Sequence, residues 1–189
     1  MLADLIAGLA RALAGEHIPY MLIGGQAVLV YAEPRLTRDV DITLGVGKEG
    51  LPQVERVAAR LRLRILVDAP ADFVARTMVL PCADDASGLR VDFIFSWSPY
   101  EQQAIARARH IEVAHTPVSF ASPEDLIVHK IVAGRARDLE DVRGVVAKVS
   151  PLDLEYIRTW LQQFEEVTQR PLRSEFNDLC SQGPRGPRT

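Results

Sequence analysis

Ile23-Gly24-Gly25-Gln26-Ala27 and, a little further on, Arg35-Leu36-Thr37-Arg38-Asp39-Val40-Asp41-Ile42-Thr43-Leu44 form the stretch on which the reading of this chain turns. Pro19 to Ile23 is a short apolar run halted by two glycines, and Gln26 to Tyr31 is apolar enough for a short buried helix. The segment therefore reads strand, glycine turn, helix. Asp39 to Leu44 alternates polar and apolar residues with period two, as a half-buried strand does, which puts both aspartates on one face. Unpaired, two such carboxylates repel each other, and burying either one ionised without a partner is expensive. A divalent cation resolves the conflict. Mg²⁺ takes hard oxygen ligands, usually one or two carboxylates, and leaves its other positions to water and substrate phosphate. Glycines supply the complementary half, because backbone without Cβ approaches phosphate closely and the free N–H groups of a following helix start attract anions. Asp39 and Asp41 are thus candidate metal ligands, and Gly24, Gly25 and Gln26 a candidate cradle for a triphosphate.

Working outward, Leu2, Leu5, Ile6, Leu9 and Leu13 form the stripe of an amphipathic helix that Gly15 should end. Leu51, Val54, Ala58 and Leu61 predict another helix, followed by a strand from Leu63 to Val67. Thr77 to Pro81 and Leu89 to Phe95 read as strands joined by the turn-forming residues 83–88, and one more strand is expected between Ile111 and Phe120. Asp92 stands among bulky apolar neighbours in Leu89-Arg90-Val91-Asp92-Phe93-Ile94-Phe95, where a solvated surface acid is hard to justify. It is the candidate third carboxylate for a two-metal clamp on attacking and leaving oxygens. Beyond residue 121 the pattern turns helical. Ser122-Pro123-Glu124-Asp125 is a capped helix start that Gly134 closes, and Ser150-Pro151-Leu152-Asp153 repeats the start signal. The expected organisation is an α/β chain of the α+β kind, with a sheet-containing core over residues 1–121, a helical subdomain over 122–180 packed on it, and a disordered tail over 181–189.

Composition narrows the classes. The 189 residues are 48% hydrophobic and 25% charged with net charge −3, so the chain is no strongly basic nucleic-acid binder. No apolar run approaches the 18 or so residues of a membrane span, and Asp4 and Arg11 interrupt any secretory pattern, so a cytoplasmic protein with no membrane partner is expected. Cys82 and Cys180 lack the spacing of a zinc or redox motif, and His17, His110, His115 and His129 show no metal spacing or nucleophile partner. Arg56, Arg60 and Arg64 recur every four residues and would share one helix face if the helix runs that far, giving a local basic patch.

The first block, Ile23-Gly24-Gly25-Gln26-Ala27 with Arg35 to Ile42, resembles the opening motif of the nucleotidyltransferase superfamily, in which a Gly-Gly or Gly-Ser turn precedes an Asp-x-Asp or Asp-x-Glu pair. Ser122-Pro123-Glu124-Asp125-Leu126-Ile127-Val128-His129-Lys130, with Gly134-Arg135-Ala136-Arg137-Asp138-Leu139-Glu140-Asp141, is similar to its AbiEii-like branch, whose members include toxins of type IV toxin–antitoxin pairs. The resemblance implies a nucleotidyltransferase fold, a small mixed twisted sheet flanked by helices with a C-terminal helical subdomain. It implies transfer of a nucleoside monophosphate from an NTP to a hydroxyl, with Mg²⁺, as one or two ions that Mn²⁺ can replace, held by Asp39, Asp41 and Asp92. Lys130 matches a lysine near the triphosphate, its alternative being to snorkel to water. Asp138 and Asp141 match an Arg-Asp-x-x-Asp pattern assigned to nucleotide binding, their alternative being to complement a helix dipole. Arg35, Thr37 and Arg38 flank the metal strand as further nucleotide contacts, with loop solvation or pairing to Glu33 as the other reading of the arginines. The acceptor implied is RNA, with tRNA foremost, and the partner a cognate antitoxin. A small-molecule enzyme of the aminoglycoside or lincosamide type, and a non-catalytic nucleotide- or partner-binding member, are the rival readings.

Overall fold

A computed structural model describes residues 2–34, 36–96 and 98–181 of the chain. The described residues of Met1–Gln26 and Leu36–Ala121 form one compact unit, and those of Ala27–Arg35 and Ser122–Thr189 form a second.

The first unit is a mixed, open seven-stranded sheet in the order β3-β4-β5-β2-β1-β7-β6. Its strands are β1 (Tyr20–Leu22), β2 (Asp39–Leu44), β3 (Arg64–Ile65), β4 (Val79–Asp84), β5 (Leu89–Phe95), β6 (Arg109–Val113) and β7 (Thr116–Phe120). β2 lies inside the sheet, antiparallel to β1 and parallel to β5. That position explains its pattern: Val40, Ile42 and Leu44 are fully buried, while Asp39 is exposed and Asp41 half-buried. β1 is buried along its whole length, and β7 runs parallel to it on the other side. The leucine stripe of α1 (Leu2–Gly15) buries Ile6, Leu9 and Leu13, and α3 (Leu51–Arg60) buries Leu51, Val54, Val57 and Ala58. α2 (Gly24–Tyr31) follows the glycine turn directly.

The second unit takes residues 27–31 of α2 together with α6 (Pro123–Ala133), α7 (Ala136–Lys148), α8 (Leu154–Thr168) and α9 (Leu172–Ser181). Ser122 caps α6 by accepting the Asp125 N–H at 3.1 Å, and Gly134, at φ +67°, closes it. Ile131, Val142, Val145, Ile157, Leu161, Leu172 and Phe176 are buried in these helices.

Several expectations change. The single strand placed between Ile111 and Phe120 is the antiparallel hairpin β6–β7, turned by Ala114 and His115 at φ +47° and +58°. Two consecutive left-handed residues fit a type I′ turn, but neither belongs to the Asn-Gly signature that would announce one. α4 (Pro70–Thr77) and α5 (Pro99–Ala106) were not foreseen, and the strand assigned from Thr77 begins at Val79 because α4 ends there. α8 starts at Leu154 with Asp153 as its cap, accepting the Tyr156 N–H at 2.9 Å, so Ser150 is not the cap the sequence suggested. α9 continues through Ser181, the first residue assigned to the tail, and residues 182–189 of that tail lie outside the described residues.

Candidate active site

The parallel pairing of β2 and β5 sets Asp39 beside Arg90 and Asp41 beside Asp92. Residues in register on neighbouring strands share a face, and residues two apart on one strand share it too, so these four side chains stand at the corners of a rectangle. Its sides are about 4.8 Å across the strands and 6.6 Å along them at Cα. On the opposite face the intervening Val40, Ile42, Val91 and Phe93 have no exposed surface, which fixes both strands from beneath. Three like charges crowd this face. Arg90 answers one of them: its Nε donates to both Asp92 carboxylate oxygens, at 2.8 and 3.0 Å. The hydrogen bond to Asp92 raises the guanidinium above its ordinary value despite some desolvation, and the Asp39 and Asp41 charges add to the rise.

With three carboxylates and one arginine, the formal charge of the rectangle is −2. Such an all-oxygen donor set with excess negative charge suits Mg²⁺ or Mn²⁺ and no soft metal. Among the described residues no three His, Cys, Asp or Glu side chains are already gathered around one point, because the Asp92 carboxylate is turned onto Arg90. Cys82 lies on β4 opposite Val91, buried, and desolvation with the nearby Asp92 charge pushes its thiol up to about 12, so it stays protonated and unreactive.

The glycine turn is fitted against the acids. Ile23 N–H donates to the Asp41 carbonyl at 2.9 Å, and Gly24 follows at φ +61°. A Cβ on Gly24 would overlap the Asp41 carboxylate, meeting Cγ at 3.0 Å, and one on Gly25 would meet Thr37 Cβ at 2.8 Å. Glycine is needed at position 24 for two reasons at once, conformation and clearance. Gln26 is buried and its Nε2 donates to the Asp39 carbonyl at 3.3 Å, while Thr37 Oγ1 reaches the same carbonyl at 3.5 Å. Both predicted nucleotide residues therefore brace the backbone of the first acid. The Arg38 carbonyl accepts the Arg90 N–H at 3.2 Å, and Arg35 lies outside the described residues.

Lys130, Asp138 and Asp141 belong to the second unit and meet one another there. Lys130 Nζ is 2.6 Å from Asp138 Oδ1 and 2.9 Å from Asp141 Oδ2, with all three side chains at most 8% exposed, and Arg135 Nε adds a 2.6 Å contact to Asp138. Lys130 thus does not snorkel to water, and the two acids do more than face a helix dipole. Burial alone would raise the Asp138 carboxyl, but hydrogen bonds from Arg135 and Lys130 outweigh it and hold the group below its ordinary value. The same unit contains a polar cluster the sequence did not reveal. The fully buried Asp125 accepts from Ser122 Oγ at 2.6 Å and Tyr156 OH at 2.7 Å. Beside it on α6, His129 is pushed by burial down to about 4, a core residue held neutral.

The arginine stripe does not form. α3 ends at Arg60; Arg56 pairs with Glu16 at 2.7 Å, and Arg64 lies in β3, paired with Asp85 at 2.7 Å. Glu33 pairs with Lys148 at 2.5 Å.

The fold has counterparts among solved structures. A solution structure of the antibiotic-resistance factor ANT(2″)-Ia superposes with TM-score 0.60 at 19% identity, covering 89% of this chain and 93% of that one. The crystal structure of ANT(2″)-Ia in complex with adenylyl-2″-tobramycin gives TM-score 0.58 at 19% identity over 88% and 98%. An antigenic nucleotidyltransferase-like protein from Paracoccidioides brasiliensis gives 0.56 at 17% identity over 93% and 92%. At such identities these likenesses establish the nucleotidyltransferase fold. No curated protein matches by sequence. The family described as nucleotidyl transferase AbiEii toxin, type IV TA system, matches residues 5–182. The chain accordingly belongs to the AbiEii family and is a nucleotidyltransferase.

Proposed function

We propose that the protein moves a nucleoside monophosphate from an NTP to a hydroxyl of RNA, tRNA foremost, as a Mg²⁺-dependent toxin that acts in the cytoplasm and is countered by an antitoxin. The observation that carries the proposal is the register of Asp41 with Asp92, which puts a third carboxylate on the face of the Asp-x-Asp pair. Asp39, Asp41 and Asp92 would hold the metal, as one or two ions with Mn²⁺ an acceptable substitute. When bound, the metal supplies positive charge to the α-phosphate and to the leaving pyrophosphate. The chain's own groups do the rest. Gly24 and Gly25 admit the triphosphate to the first turn of α2, where unpaired backbone N–H groups favour an anion. Gln26 and Thr37 hold the Asp39 backbone in place. The acceptor oxygen forms the new bond to the α-phosphorus as the bond to pyrophosphate breaks, and the acidic face takes up the hydroxyl proton. Arg38 is assigned to the phosphates. No described helix is long and apolar enough to cross a membrane.

A second acceptor class has its own support. The likeness to ANT(2″)-Ia, whose crystal structure holds adenylyl-2″-tobramycin, favours a small polyhydroxyl acceptor. One experiment separates the two: purified protein with Mg²⁺ and each α-³²P-NTP, offered total RNA or an aminoglycoside and lincosamide panel, beside an Asp39→Ala, Asp41→Ala control. Metal-dependent label on RNA that the control lacks supports the toxin reading. Label confined to a small molecule replaces it, and no label on either acceptor refutes both.

A further inference from the structure

Arg90 was not singled out by the sequence, yet it occupies the fourth corner of the acidic rectangle, in register with Asp39 and two residues before Asp92. Its guanidinium engages both oxygens of Asp92, so no oxygen of that carboxylate is without a cationic partner. The Arg90 side chain is 51% exposed, against 18% for Asp92, so it can leave for solvent while the acid cannot. The Asp41 carboxylate abuts Gly24, whereas both oxygens of Asp92 are held by an internal cation.

Resting on the metal site proposed above, we infer that Arg90 is a displaceable counter-ion that withholds Asp92 from metal until nucleotide-bound cation drives it off. Asp39 and Asp41 accept a first ion weakly in the absence of substrate, and Asp92 joins only when the triphosphate brings enough positive charge and enough ligands to compete with the guanidinium. Arg90 is thus a positioning residue acting through Asp92. It couples cation binding to nucleotide binding, and the coupling is reciprocal. It also explains how three acids on one sheet face are tolerated before substrate arrives, since an unpaired, half-buried carboxylate at position 92 would be costly.

The test is a Mn²⁺ titration followed by the electron paramagnetic resonance of the free ion, without nucleotide and with an α,β-methylene NTP analogue. Replacing Arg90 by methionine keeps the apolar stem and removes the charge. Arg90→Met should bind Mn²⁺ about ten-fold more tightly than wild type without nucleotide, the size expected from losing a close charge-assisted contact and one opposing charge. The enhancement of Mn²⁺ affinity by the analogue should shrink by a similar factor. A general change in surface potential would give the same gain whatever occupies position 92, so the pair is also made in an Asp92→Asn background. There the gain from Arg90→Met should shrink to the small part due to one opposing charge fewer beside Asp39 and Asp41, and persistence of the full gain overturns the inference. An unchanged nucleotide-free affinity in Arg90→Met, with binding that still requires Asp39 and Asp41, overturns it while sparing the metal site. Binding that ignores an Asp39→Asn, Asp41→Asn variant overturns both. Arg90→Lys, which keeps the charge but not the fork, should fall between wild type and Arg90→Met, and thermal melts of every variant confirm that folded protein was titrated.

Discussion

Replacing Gly24 by alanine perturbs one atom at the point where backbone, acid and proposed nucleotide meet. The left-handed conformation at φ +61° costs a residue with a Cβ about 1–2 kcal/mol. For a chain of this size that corresponds to a fall in melting temperature of roughly 2–8 °C. A second term follows from position, because the new Cβ would overlap the Asp41 carboxylate and must push it away. A displacement of about 1 Å at a reacting group can cost about 10²-fold in rate, so kcat/KM for label transfer should fall by that order even where the protein remains folded. Gly88 provides the control, since it has φ +72° with nothing within 4 Å of a built Cβ. Gly88→Ala should carry the backbone strain alone, lose a few degrees in a thermal melt and keep its activity. The reasoning is refuted if Gly24→Ala melts with Gly88→Ala and retains kcat/KM within about three-fold, because the clearance at Asp41 would then have no functional weight.

Asp41→Asn and Asp92→Asn should each lower metal-dependent transfer by more than the roughly 10- to 100-fold typical of losing an outer-shell partner of a metal. Lys130→Met should destabilise the protein by about 3–5 kcal/mol in urea unfolding, since it leaves two buried carboxylates without their shared cation. Adding Asp138→Asn and Asp141→Asn to that variant should restore much of the loss, and failure to do so would mean that the buried triad is not what the lysine supports. His129 gives a pH signature. Its folded value of about 4 lies below the ordinary 6.5 or so, so its contribution is complete above pH 6.5 and is lost as pH falls from there toward 4, by roughly 3 kcal/mol in all. A His129→Gln variant should flatten that part of the stability profile. Asp138, held below its ordinary value near 3.9, contributes fully above that value and loses its contribution only as pH falls further, so the two residues can be told apart by where the curve bends.

Local chemistry was legible in the sequence wherever a pattern completed itself within a few residues. β2 and β5 were read with their exact ends because both alternate buried and polar positions, and α6 because Ser122 and Gly134 mark its two ends chemically. The face shared by Asp39 and Asp41 followed from strand geometry alone. Its relation to Asp92 did not, since register between β2 and β5 is set by pairing across residues 45–88 and has no local signature. Arg90 was missed although its bonded partner Asp92 is two residues along the same strand; only the pairing with β2 shows that it stands beside Asp39 in the acidic face. α5 went unread because its apolar positions form no stripe, with only Tyr100 and Ala104 buried. The β6–β7 turn was hidden because Ala114 and His115 adopt a conformation that sequence statistics reserve for glycine and asparagine. The arginine repeat at 56, 60 and 64 shows the converse failure, a helical period in the sequence where the helix had already stopped.

The parallel pairing of β2 with β5 also has a temporal meaning. Asp39 and Asp41 leave the ribosome well before Asp92, by roughly 3–10 s at 5–20 residues per second, and parallel strands so far apart in sequence pair slowly. A growing chain therefore carries the Asp-x-Asp pair for some seconds with no third acid beside it, and any fragment ending before β5 is chemically incomplete. For roughly the first half of its synthesis the chain is in this way without a complete acidic face. The proposed antitoxin has nothing to restrain until β5 has paired with β2.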